Sequence, residues 1–301
     1  MESSVIRRLL VLLAVVAICF LVVDRAAGYA LNNLVKQSGF RFSELYAGGH
    51  QADVLVLGNS RAVNAFYAPE MEKKLEQSVF NLGYNGMSME LCEVVLLDYL
   101  DHNERPSIVI LEVTNLNVSN GLLKDFKLFS GMSFRIAELL RRDESVLYNA
   151  SKLTHLYRFN SELFLRTLVY LNGDDQSWIT SGSISEAFGE SAHFDDETFK
   201  EAYPVHGANW EALIRILAVC LERNIEVRLV ASPYLPVYRN AMTEYDASKA
   251  GFIERLEGRA GIFDFTLALG DYKDFADPIH INRRGSDRLL EMMIEDGVFD
   301  L

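Results

Sequence analysis

The sequence predicts an α/β fold, a mainly parallel sheet covered by helices on both faces. Three observations predict it: short, wholly apolar runs of strand length, helical stretches between them, and Gly, Asn or Pro at the junctions. The chain has 301 residues, half of them hydrophobic and 11% aromatic, enough for a substantial core. Its 6 prolines and 3 cysteines exclude collagen-like and disulfide-dense scaffolds. With 29 Lys+Arg against 42 Asp+Glu the formal charge is -13, and the densest basic runs are pairs such as Arg141-Arg142 and Arg283-Arg284. A chain so charged is repelled by phosphate backbones, which argues against nucleic acid as a partner.

Residues 1–30 read as lying outside the folded domain. Residues 9–23 are uncharged, preceded by Arg7-Arg8 and followed by Asp24-Arg25. At about 1.5 Å per residue this run falls short of a ~30 Å hydrocarbon core, but snorkelling arginines and residues 26–31 extend it. The expectation is an uncleaved signal anchor forming a single transmembrane helix. A cleaved signal peptide is the competing reading, opposed by Asp24-Arg25 where a small neutral cleavage region belongs. Both arginines precede the run, so the N-terminus stays cytoplasmic and the rest is exported, periplasmic if the cell is Gram-negative.

Residues 31–50 read as a polar neck ending in Gly48-Gly49, followed by an α/β domain over 51–301. Residues 53–57 form the first buried strand, 69–77 a helix and 79–81 a short strand. Ser88 caps a helix through residue 100, and Pro106 breaks the chain before the strand 108–111. A helix over 210–223, a strand over 227–230, a helix over 244–256, a strand over 262–265 and a last helix through 288–294 complete the alternation. Residues from 116 to about 205 break it, with amphipathic stretches at 134–142 and 147–171. They read as a helical insertion able to cap the strand ends. Cys92 and Cys220 sit in apolar helical patterns and read as free core thiols, although a disulfide between them is the alternative. No C-x-x-C pair or His/Cys cluster points to a metal.

Ligands in such sheets bind beyond the carboxyl ends of the strands, where four clusters fall. Gly58-Asn59-Ser60-Arg61 follows the first strand and exposes a serine hydroxyl at a strand-to-helix turn; a plain N-cap is the bland reading. Asn81-Leu82-Gly83-Tyr84-Asn85-Gly86 follows the second, and glycine lets an N–H approach a developing oxyanion. Glu112-Val113-Thr114-Asn115-Leu116-Asn117 follows the third, and an Asn amide there supplies another donor, Asn115 being nearer the strand end. Asp277-Pro278-Ile279-His280-Ile281-Asn282 lies between the last strand and the last helix, which Asn282 caps. Its carboxylate can fix the tautomer of the imidazole three residues on. Glu190 and His193 repeat the acid–His pattern, but in the insertion.

This series resembles the four blocks of the SGNH (GDSL-like) hydrolase superfamily, in order and over residues 53–285. The resemblance implies a three-layer α/β/α sandwich with a flavodoxin-like sheet of about five strands. It matches Ser60 to the nucleophile, Gly86 and Asn115 to the oxyanion partners, and Asp277 and His280 to the rest of a triad. Ser60 contributes its own N–H to the oxyanion hole. Asn59 departs from the usual Asp before the serine, and Val-Thr-Asn-Leu from Gly-x-Asn-Asp in the third block. The anchor, the Gly-Asn-Ser-Arg variant and the insertion resemble membrane-anchored members that move acyl groups on envelope or exported glycans. The implied activity is esterase or O-acyltransferase, with no cofactor, a glycan or other acyl acceptor, and a membrane partner that delivers acyl groups. Arg61 is either an anchor for an anionic substrate group or a structural ion pair, the latter favoured. The alternative function is a noncatalytic glycan-binding or assembly protein on the same scaffold. A nucleotide-binding fold would need G-x-G-x-x-G after the first strand, which is missing.

Overall fold

The computed structural model describes residues 2–114, 116, 118–176, 179–193, 203 and 207–301. The chain divides into two compact units, Met1–Ala47 with Leu122–Gly173, and Gly48–Gly121 with Asp174–Leu301.

The second unit carries five parallel strands, β1 (Val54–Leu57), β2 (Val79–Asn81), β3 (Ile108–Glu112), β4 (Glu226–Ala231) and β5 (Ile262–Asp264), ordered β2-β1-β3-β4-β5. Every residue of β1 and β3 is buried, which is why these segments read as apolar runs, Glu112 at the end of β3 being the one charged residue. Val54, Val56, Ile108, Ile110 and Val230 share one core with Ala62, Met71, Leu289 and Met293, from the helices Ser60–Ala65, Ala68–Leu75 and Arg283–Glu295. Leu55, Leu57, Val109 and Leu111 alternate onto the opposite face, which the helices Met89–His102 and Ala208–Glu222 cover. The α/β sandwich is therefore the one predicted. Connections leave β1 toward β2 on one side and run from β3 to β5 on the other, so the crevice of this topology opens where β1 and β3 end. Ser88 and Asn282 cap their helices as expected, accepting the N–H of Leu91 (3.2 Å) and of Gly285 (3.1 Å). A feature without a sequence signal is the antiparallel hairpin of β6 (Phe275–Asp277) and β7 (His280–Ile281).

In the first unit the helix Glu2–Val35 contains the segment Ser4–Val35, which is long and apolar enough to cross a membrane. Apolar side chains along it, such as Val5, Leu12 and Val23, are exposed. Asp24, by contrast, is buried and accepts the backbone N–H of His155 (2.7 Å) and Leu156 (3.0 Å), while Arg25 donates to the carbonyl of Lys152 (3.2 Å). The neck expected over 31–50 is corrected here. Phe40, Phe42 and Leu45 are fully buried, and in the helix Arg41–Ala47 Phe42 meets Phe126 edge to face while Tyr46 stacks on Phe129. The insertion expected over 116–205 divides likewise. Residues 122–173 pack with 1–47, whereas Gln176, Thr180 and Ile184 bond to Asn81, Arg283 and Phe275 of the sheet unit. Amphipathic periodicity shows that a helix buries one face, but not against which partner.

Candidate active site

β1 ends at Leu57, and the chain turns at once into the helix Ser60–Ala65. The turn requires Gly58: its φ is +147°, and a Cβ there would lie 2.8 Å from Ala62 Cβ and 2.9 Å from Glu112 Cβ. Asn59, not Ser60, is the N-cap, its Oδ1 accepting the N–H of Arg61 (2.9 Å). This leaves the Ser60 hydroxyl available to another partner.

That partner is His280. Its Nε2 lies 2.7 Å from Ser60 Oγ, and its Nδ1 lies 2.7 Å from Asp277 Oδ2. In the β6–β7 hairpin Asp277 faces His280 across the two-residue turn Pro278-Ile279, so the separation of three in sequence becomes a cross-strand pair. Asp277 Oδ1 also accepts the backbone N–H groups of Ile279 and His280 (2.9 Å each). Burial opposes ionisation of this carboxyl. The His280 hydrogen bond, the Ile279 N–H and the neighbouring imidazole outweigh burial and hold it below the usual aspartate value. A carboxylate, an imidazole and a hydroxyl in this chain of bonds can take a proton from the oxygen and stabilise the resulting imidazolium.

Arg61 points the other way, into the protein. It is 4% exposed, and all three of its guanidinium nitrogens are engaged. Nε donates to Thr114 Oγ1 (2.5 Å) and Glu112 (3.4 Å), one terminal nitrogen to the carbonyl of Ile279, and the other to the carbonyls of Ser232 (2.6 Å) and Pro233 (2.9 Å). The group lies over the Tyr234 ring at 3.6 Å. Of the two sequence readings, the structural ion pair with Glu112 is the one that fits, because the side chain is buried and each guanidinium nitrogen already donates within the protein. Glu112, Thr114, Ser232 and Tyr234 were missed from the sequence. One signal was present: a carboxylate ending an otherwise apolar strand must meet a buried cation.

Asn81 ties the second block to the nucleophile helix, donating to the carbonyls of Ala62 (3.1 Å) and Phe66 (2.7 Å) and accepting the Gly83 N–H (2.9 Å). Gly83 is the close-approach glycine, since a Cβ there would sit 3.0 Å from Ala62 Cβ. Gly86 lies further along, in a turn with φ of +73°. Asn115 lies outside the described residues. Asn209 donates to the carbonyls of Leu116 (2.7 Å) and Val118 (2.9 Å) and accepts the Met89 N–H (3.0 Å), tying these two residues to the helix Met89–His102. Cys92 and Cys220 are free and buried, and burial pushes both thiols up to about 12, which leaves neither as a nucleophile at neutral pH. Glu190 and His193 are exposed.

No family model matches the chain. No curated protein matches it either. Solved structures do. A GDSL-like lipase from Bacteroides thetaiotaomicron is 8% identical, with a TM-score of 0.41 over 89% of this chain and 98% of that one. A candidate acylhydrolase from Bacteroides fragilis is 12% identical, with a TM-score of 0.40 over 86% and 94%. The chain is similar, too, to a candidate lipolytic protein of the G-D-S-L family from Desulfitobacterium hafniense, 13% identical with a TM-score of 0.39 over 80% of this chain and 97% of that one.

Proposed function

We propose that the chain is an SGNH-type serine enzyme, anchored in the cytoplasmic membrane with its α/β unit outside the cytoplasm. It moves acyl groups, acetyl first among them, on cell-envelope or exported glycans. The observation that carries this reading is the bond from Ser60 Oγ to His280 Nε2 and on to Asp277, between residues 220 positions apart. His280 takes the hydroxyl proton as Oγ attacks the ester carbonyl carbon. The carbonyl electron pair moves onto oxygen, where the N–H groups of Ser60 and Gly86 and the Asn115 amide hold it in the roles that the resemblance assigns. Collapse expels the alcohol, which leaves with the proton from His280, and the acyl group stays on Ser60. An acceptor hydroxyl then gives its proton to His280 as it attacks the acyl carbon, and the Ser60 Oγ–acyl bond breaks with that proton returning from His280 to Oγ: water makes the enzyme an esterase, a sugar hydroxyl a transferase. The apolar segment Ser4–Val35 supports the anchor, and Arg7 and Arg8, ahead of its uncharged run 9–23, favour a cytoplasmic N-terminus. A membrane partner then supplies activated acyl groups, which are scarce outside the cytoplasm.

Ser60→Ala is expected to abolish labelling by a fluorophosphonate and to cut p-nitrophenyl acetate turnover by about 10³-fold or more. Full turnover by the variant, or a probe that labels a different residue, overturns the mechanism. Adding oligosaccharide to the same assay separates the two acceptors, since a transferase yields acylated sugar.

A further inference from the structure

We propose that Arg61 is a positioning residue that holds the histidine hairpin against the nucleophile turn; the inference rests on the Ser60–His280 reading above. Asp277 binds Ile279 and His280 within its own hairpin, so it orients the imidazole without fixing where the hairpin sits relative to Ser60. The guanidinium spans that gap. It belongs to the residue after Ser60 and grips the carbonyl of Ile279, the residue before His280. The same group binds Thr114 beyond the end of β3, and Ser232 and Pro233 beyond the end of β4, so three strand ends and the hairpin meet on one planar cation. A second tie runs parallel to it, from the Leu235 N–H to the Pro278 carbonyl (3.0 Å).

The chemistry calls for arginine in particular. Five acceptors lie around one plane, and Tyr234 packs against its face while donating to the Thr114 carbonyl (3.3 Å). A lysine offers one nitrogen and no plane. Glu112, fully buried, neutralises the charge. A buried ion pair gains little stability over apolar residues of the same size, so its value here is geometric: it sets the Ser60–His280 distance.

The test uses the full chain in detergent, comparing wild type, Arg61→Lys and Thr114→Val in p-nitrophenyl acetate kinetics and fluorophosphonate labelling of Ser60. Thermal unfolding and the downfield proton resonance of the Asp277–His280 hydrogen bond are followed alongside. Arg61→Lys is expected to lower kcat by about 10–100-fold with KM within about twofold, since a misplacement near 1 Å costs that much. The downfield resonance persists, because that bond lies inside the hairpin. Thr114→Val, which keeps the shape and removes the acceptor of Arg61 Nε together with the hydroxyl's own bond to Glu112, lowers kcat by about 3–10-fold and decides the matter should Arg61→Lys not fold. Wild-type kcat in a folded variant overturns the inference, as does loss of the downfield resonance together with activity, which would mean general collapse. A wild-type chain left unlabelled at Ser60 overturns the serine mechanism and the inference with it. Labelling of wild type and Arg61→Lys at equal rates overturns the inference alone.

Discussion

The two oxygens of the Asp277 carboxylate serve different parts of the hairpin, one bonding the imidazole and the other two backbone N–H groups. Asp277→Asn keeps the shape but presents an amide to Nδ1, which favours the wrong tautomer. In the proposed mechanism this lowers kcat by about 10³–10⁴-fold while Ser60 remains in place, measurable in ester turnover. The same residue gives a pH signature in stability. Its folded value is depressed below the ordinary 3.8, so its contribution is present above that value and is lost as pH falls through the lower folded one. The stability gap between wild type and Asp277→Asn in urea unfolding is therefore expected to be largest near neutral pH and to shrink below about pH 4.

The strand-to-helix turn and the last helix are where single atoms decide whether elements fit. Gly58→Ala meets both a disfavoured φ and two carbon atoms under 3 Å away, one of them on β3. We expect it to cost about 2–3 kcal/mol in chemical denaturation and to lower turnover further, because it displaces Ser60. Asn282 holds the last helix to the turn just before the hairpin through both ends of its amide, accepting from Gly285 and donating to the Lys273 carbonyl (2.7 Å). Asn282→Ala is expected to cost about 1–2 kcal/mol, read as a shift in the denaturant midpoint at constant m.

For the molecule as a whole, the decisive boundary falls inside the first helix. Residues 4–23 are largely exposed apolar surface, whereas Val35, Phe40, Phe42 and Leu45 are buried within the unit that residues 122–173 complete. A chain beginning at residue 24 is expected to elute as a discrete soluble species in size-exclusion chromatography. One beginning at residue 48 uncovers the apolar faces around Phe126 and Phe129 and is expected to aggregate. Equal solubility of the two would show that residues 24–47 contribute no core.

The sequence by itself determined the five-strand α/β sandwich, the apolar N-terminal segment, the strand end that carries Ser60 and the segment before the last helix that carries Asp277 and His280. Strands buried on both faces must be apolar throughout, and residues at their ends have a location as soon as the strands do. Only the tertiary structure decided the inward turn of Arg61, the burial of Val35, Phe40, Phe42 and Leu45 and the division of the expected insertion between two units. A side chain's partners and a helix's covering surface are set by segments distant in sequence: Glu112 is 51 residues from Arg61, and Ile279 is 218. Local pattern records that a group must be satisfied or a face covered, and the folded chain alone supplies what does it.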